Sequence, residues 1–276
     1  MPNWSFNTLA VRGTKKQVIN FLNEGLKRTH GRKKGFALLA ENATAVEIED
    51  KLRNYGLSLR SWLPMPRTYL KFDTTNKMPD FHWWLFDKLK PKVEWKDIES
   101  NIEEYKKKYL DEYVKFTEDY AKAAQYQLHK YGYVGWYDYN HATLGTKWNS
   151  NIENWGIVSA DNDCFILTAY CETAWNLPYA WVINMQKKHK DLFFACYAWE
   201  ESYEYCGFMD GNSCDWVENH KYDEIEDKID KEHPELEKDS EDRWEYGSEY
   251  YGELQNEVYE RFLAYVGQER DRVVED

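Results

Sequence analysis

Between Tyr131 and Trp148 the chain reads YGYVGWYDYNHATLGTKW, and this stretch limits the possible folds more than any other. Trp136, Tyr137, Tyr139 and Trp148 can each bury a large ring while a polar tip stays hydrogen-bonded, which argues for a structured centre and against a loop. Gly132, Gly135 and Gly145 sit among these rings, where the backbone can take a positive φ or approach a neighbour closely. Gly145-Thr146-Lys147-Trp148 reads as a tight exit turn that carries one cation beside a bulky ring. A second distinctive stretch, TAYCETAWNLP at Thr168–Pro178, belongs with it. With 13 Trp, 22 Tyr and 12 Phe in 276 residues, the chain has ample material for a sizeable core.

The flanking segments alternate between strand and helix periodicity. Trp4–Val11 alternates apolar and polar residues as a half-buried strand does. Gly13-Thr14 gives a turn and an N-cap, and Val18, Ile19, Phe21, Leu22 and Leu26 then predict a helix over 14–28. A second helix is expected at about 44–54, capped by Thr44, and Leu57–Leu63 alternates as a strand that stops at Pro64. The spacing of Ile98, Ile102, Tyr105, Tyr109, Tyr113, Phe116 and Tyr120 predicts one long helix over 97–130, with FHWWLF at Phe81–Phe86 sealing the same layer. Trp155–Ser159 and Phe165–Cys171 predict a hairpin around Ala160-Asp161-Asn162-Asp163. A helix follows from Pro178 to about Lys190, then strands at Leu192–Trp199 and Tyr203–Met209. His220–Glu245 is acidic, poor in aliphatic residues and broken by Pro234, which predicts a solvated segment. Glu249–Glu269 regains helical spacing and should dock back.

The blocks MPNWSFN (Met1–Asn7), WYDY…LGTKW (Trp136–Trp148) and TAWNLP (Thr173–Pro178), with LPMP at Leu63–Pro66 and FFACYAWEE at Phe193–Glu201, resemble the YubB ferredoxin-like family of phages, plasmids and other mobile elements. Members usually carry Cys where this chain has Ser5, Trp where it has Tyr139 and Leu144, and Ser-Pro where it has Asn176-Leu177. The resemblance covers about half the chain. It implies an α+β fold, a ferredoxin-like antiparallel sheet with helices on one face. The organisation expected is a domain over 1–218 with a helical insertion at about 70–130, and a segment over 219–276 that docks on it. It also implies a mobile-element setting, but no activity.

Charge is distributed unevenly. The net charge of −13 hides +7 over residues 1–40 and −17 over residues 200–260. No apolar run approaches the ~18 residues a membrane span needs, and the opening residues lack a basic segment followed by an apolar one, so a cytoplasmic protein without membrane contact is expected. Phosphate-cradling, dinucleotide-binding, nucleophile-elbow and zinc-protease motifs are missing from the sequence. Cys206, Cys214 and His220 match no zinc spacing, and neither a cofactor nor a metal is expected.

Three functional readings follow. The first is a non-enzymatic binding protein that engages a host protein or a small anionic ligand and blunts host defence, with Trp136, Tyr137, Tyr139, His141, Lys147, Trp148, Thr173 and Trp175 as the contact residues. The second is a nucleic-acid-binding or nucleic-acid-processing protein that uses Arg12, Lys15, Lys16, Lys27, Arg28, Arg32, Lys33 and Lys34. The third is a small-molecule enzyme in which Asp138 orients His141 for acid–base work.

Overall fold

The computed structural model describes residues 3–71, 78–200, 205–213, 215–236 and 241–268. The chain divides into two compact units, one of residues 1–64 with 140–276 and one of residues 65–139.

The first unit is built on a seven-stranded antiparallel sheet. Its strands are β1 (Trp4–Gly13), β2 (Leu57–Ser58), β3 (Asn151–Ala160), β4 (Phe165–Ala174), β5 (Phe193–Glu200), β6 (Tyr205–Asp210) and β7 (Glu218–Lys221), in the order β2-β3-β4-β1-β5-β6-β7. Helix α1 (Lys15–His30) follows β1, and α2 (Ala45–Asn54) precedes β2. Both open on capping boxes, Thr14 with Gln17 and Thr44 with Glu47, each satisfying two otherwise orphaned backbone donors. The sheet is wider than the four strands of a ferredoxin-like fold.

The alternation expected for the first strand is present and decides the layers. Leu9 and Val11 point into the main core with Phe21, Leu22, Leu26, Ile48, Leu52, Trp62, Trp181 and Phe194. Trp62 stacks on Phe21 at 4.6 Å and donates its indole N–H to the Phe21 carbonyl. Trp181 makes the equivalent bond to the Leu59 carbonyl, so both buried indoles are satisfied.

Helices do not lie on one face only. Ala10, Ile166, Phe193, Ala195, Tyr197 and Phe208 face the other way and are covered by Val258, Phe262 and Val266 of a C-terminal helix, Glu241–Gln268. The reason is that the central strands are apolar on both faces: β5 is buried at seven of its eight residues, so a single helical layer would leave half of it wet.

Other expectations shift in detail. Of Leu57–Leu63 only Leu57 and Ser58 pair, and Leu59–Ser61 forms a 3-10 turn. The acidic stretch contains a helix at Tyr222–Glu232, because Ile225 and Ile229 bury against Tyr251 while Arg243 bridges Glu226 and Asp230. Residues 237–240 lie outside the described residues.

The second unit is helical. Phe81–Leu89 is a helix capped by Asp80, followed by Trp95–Ser100 and by Ile102–Tyr131. The long helix expected over 97–130 is therefore interrupted at Asn101, whose amide caps the shorter piece with bonds to the Asp97 and Ile98 carbonyls. Phe81, Leu85 and Ile98 form its core, packed by Trp84, Tyr105, Tyr109 and Tyr113. The long helix ends at Gly132, which takes the left-handed conformation.

Candidate functional site

The sequence blocks NWSFN (Asn3–Asn7), LGTKW and TAWNLP meet at one end of the sheet, where β1 begins and β4 ends. Register places Trp4 opposite Ala174 and Ser5 opposite both Thr173 and Glu200. The Asn7 amide nitrogen lies 2.8–3.0 Å from the Ser5 carbonyl, the Cys171 carbonyl and the Thr173 hydroxyl. Ser5 donates to the Asn7 amide oxygen, Tyr205 donates to Ser5, and Thr173 donates to the Asn176 carbonyl at 2.6 Å. Ser5, Asn7 and Thr173 are each at most 2% exposed. In this desolvated setting a satisfied network fixes a single geometry. Burial also pushes the Tyr205 phenol well above its ordinary range, so it stays a donor.

The LGTKW turn is fastened to this frame. It leaves the helix Trp136–Leu144, whose Asn140 side chain donates to the Lys147 carbonyl at 2.7 Å and is held by Arg60. Thr146, fully buried, donates to the Ala174 carbonyl at 3.1 Å. Gly145 has φ +82°, and a Cβ there would meet the Tyr179 ring at 2.7 Å and the Ala180 nitrogen at 2.8 Å, so both conformation and space require glycine.

What emerges from the frame is aromatic. Trp148 is 39% exposed and 6.4 Å from Trp4, centroid to centroid, and Trp175 and Tyr179 are 47% and 41% exposed. Trp175 has φ +74°, unusual for a bulky residue, and its N–H donates to the Asn3 carbonyl at 2.9 Å. Lys147 lays its ammonium over the Trp148 ring at 4.6 Å. Beside Trp4 an open groove of about 270 Å³ is lined by Asn149, Ser150, Asn151, Glu153, Tyr170 and Glu172.

Of the residues singled out from sequence, Lys147, Trp148, Thr173 and Trp175 thus converge on one end of the sheet. Thr173 is a buried strut there and offers a ligand no exposed surface. Trp136, Tyr137 and Tyr139 belong to the second unit, where Tyr139 packs in a tyrosine cluster with Tyr69 (4.9 Å), Tyr131 and Tyr133. Asp138 and His141 lie one turn apart on the helix that begins at Trp136. Trp4, Asn7, Glu153, Tyr170 and Glu172 were missed; for Trp4 the available signal was its even-numbered parity with Phe6 and Thr8, opposite to the core residues Leu9 and Val11.

Of the eight basic N-terminal residues only Arg12 is buried, while Lys27, Arg28, Arg32, Lys33 and Lys34 are exposed. Arg12 is 7% exposed, donates to the Val266 carbonyl and lies over Phe193. Lys16 pairs with Glu41 and Arg28 with Glu24. Cys206 stands opposite His220 in the sheet, but its thiol contacts the Tyr197 hydroxyl, His220 binds Glu218 and Glu224, and Cys214 lies outside the described residues. Among the described residues no group of three or more His, Cys, Asp or Glu is placed to hold a metal ion, and no helix is long and apolar enough to cross a membrane. No family model, curated protein or solved structure matches the chain.

Proposed function

We propose that this chain is a non-enzymatic binding protein that engages a protein partner through Trp4, Trp148, Trp175 and Tyr179. The observation that carries this reading is a rigid frame that holds exposed rings. A buried polar network, a turn that demands glycine and a tryptophan in the left-handed region all serve to present large side chains to solvent. Exposed aromatic anchors on a rigid scaffold are what protein interfaces use as hot spots. Strained backbone that its surroundings hold in place is characteristic of functional sites.

A YubB-like, ferredoxin-like origin is part of the proposal. Its support is that β1, α1, β3, β4, the helix Tyr179–Lys188 and β5 run as βαββαβ, with spatial order β3-β4-β1-β5, the split βαβ pattern. On that reading β2, β6, β7 and the second unit are additions. The partner would then be a host protein, and the outcome of binding a weakened host defence.

Affinity capture with the full chain, from lysate of the host in which it is expressed, tests the reading. A specific partner should be retained by the wild type and lost at least tenfold in Trp148→Ala/Trp175→Ala, with circular dichroism unchanged. Equal retention by the variant would overturn it. Native mass spectrometry showing a tightly held, nucleotide-sized mass would favour the small anionic ligand instead.

A further inference from the structure

We infer that the groove beside Trp4 takes the cationic side chain of a basic polypeptide, a lysine ammonium or an arginine guanidinium. This rests on the binding-protein reading and names the chemistry of the partner.

Strand alternation and register build the groove. Glu153 is opposite Tyr170, Tyr170 is opposite Thr8, and Phe6 is opposite Glu172, so Glu153, Tyr170, Glu172, Trp4 and Phe6 share one face of the sheet. It is the face opposite the main core, at the corner the C-terminal helix leaves uncovered: that helix packs over Ala10, Ile166, Phe193 and Tyr197 instead. The loop of Asn149–Asn151 closes the far side.

The lining chemistry selects the charge. Glu153 and Glu172 are both exposed carboxylates, and among the described residues no Lys, Arg or His lies within ion-pair distance of either. Elsewhere in the same unit carboxylates are paired, as Glu24 is with Lys188 and Glu218 with Arg261. Tyr170 donates to Glu172 at 2.8 Å and so orients that carboxylate. The indole of Trp4 supplies a π face, and Phe6 is held in a stack with Trp199 at 4.3 Å. Carboxylates beside aromatic faces suit an organic cation. An anion would meet the two carboxylates, while the nearest cation in sequence, Lys147, is occupied over Trp148.

The test uses ¹⁵N-labelled full chain and the peptide Ac-Ala-Ala-Lys-Ala-Ala-NH₂, with the norleucine peptide as neutral isostere. The indole N–H signals, assigned by single Trp→Phe variants, are followed during titration. The lysine peptide should shift Trp4 saturably, the norleucine peptide should not, and Glu153→Gln/Glu172→Gln should weaken binding at least tenfold without changing Tm. Glu224→Gln/Glu257→Gln, acidic residues remote from the groove, should leave binding unchanged. Equal response to the neutral peptide, an unaffected groove variant, or loss of binding in the remote variant would each overturn the inference. So would concentration-dependent Trp4 shifts without peptide together with a doubled mass, which would assign the groove to a second copy of the chain. If Trp148→Ala/Trp175→Ala abolishes partner capture while the peptide fails to bind, only the cation assignment falls. If the peptide binds but partner capture survives that variant, the binding-surface reading falls and the groove stands.

Discussion

Gly25 and Trp62 occupy one space: a Cβ on Gly25 would lie 2.7 Å from two ring carbons of Trp62. Trp62 is 1% exposed and stacked on Phe21, so it cannot move aside cheaply. Gly→Ala within a helix ordinarily gains about 1 kcal/mol. Here overpacking, at about 1–3 kcal/mol, should outweigh that gain. Gly25→Ala should lower Tm, and Gly25→Ala/Trp62→Phe should recover part of the overpacking loss, measured as coupling in a double-mutant cycle by thermal melting.

Asn7 and Thr173 should prove energetically coupled. Removing the Asn7 amide leaves buried acceptors and the Ser5 hydroxyl with fewer partners, at a cost of about 1–3 kcal/mol. Urea denaturation of Asn7→Ala, Thr173→Val and the double variant should give a sum of single losses that exceeds the loss in the double. Strict additivity would mean the two act separately.

Trp175 should separate stability from binding. Because its φ is +74° and its side chain is 47% exposed, Trp175→Gly should be neutral or stabilising by up to about 1 kcal/mol. Trp175→Val should be destabilising, since a β-branched residue tolerates this conformation poorly. Chemical denaturation reads both, while partner capture should fall in each.

Tyr69 should give the second unit an alkaline limit. Burial first, then the neighbouring Tyr139, Tyr131, Tyr133 and Asp138, raises its phenol to about 12, and its hydroxyl donates to the Tyr133 carbonyl at 2.5 Å. A raised folded-state value means the folded chain holds the proton more tightly. The stabilisation is complete below the unfolded value of about 10 and is lost as pH rises towards 12. Tyr69→Phe should flatten that part of the stability–pH curve, followed by helical circular dichroism.

Thiol reactivity should follow burial. Cys171 and Cys196 are fully buried and burial pushes both thiols up; Cys206 is pushed up to about 11 by burial. Peptide mapping after brief native alkylation should find Cys164, which is half-buried, modified well ahead of these three.

Local periodicity made much of the architecture legible. The amphipathic helix after β1, with its Thr14 cap, and the hairpin around Asp161–Asp163 each depend on neighbours a few residues apart. The second helical layer was not legible, because whether β5 is buried on one face or two depends on a helix some sixty residues downstream, about which its own pattern is silent. The break at Asn101 was hidden because apolar spacing continues across it unchanged. For the site, sequence pointed to Lys147, Trp148 and Trp175 as a group by composition alone. It could not separate them from Tyr139, nor bring Trp4 beside Glu172, because β1 and β4 pair across most of the chain, and the bulges between β3 and β4 hid which residue of the hairpin Glu153 would face. The amino-acid sequence by itself determined which segments have a buried face. Only the tertiary structure decided which faces meet, because that choice rests on contacts whose loop-closure cost and packing gain are properties of the whole chain.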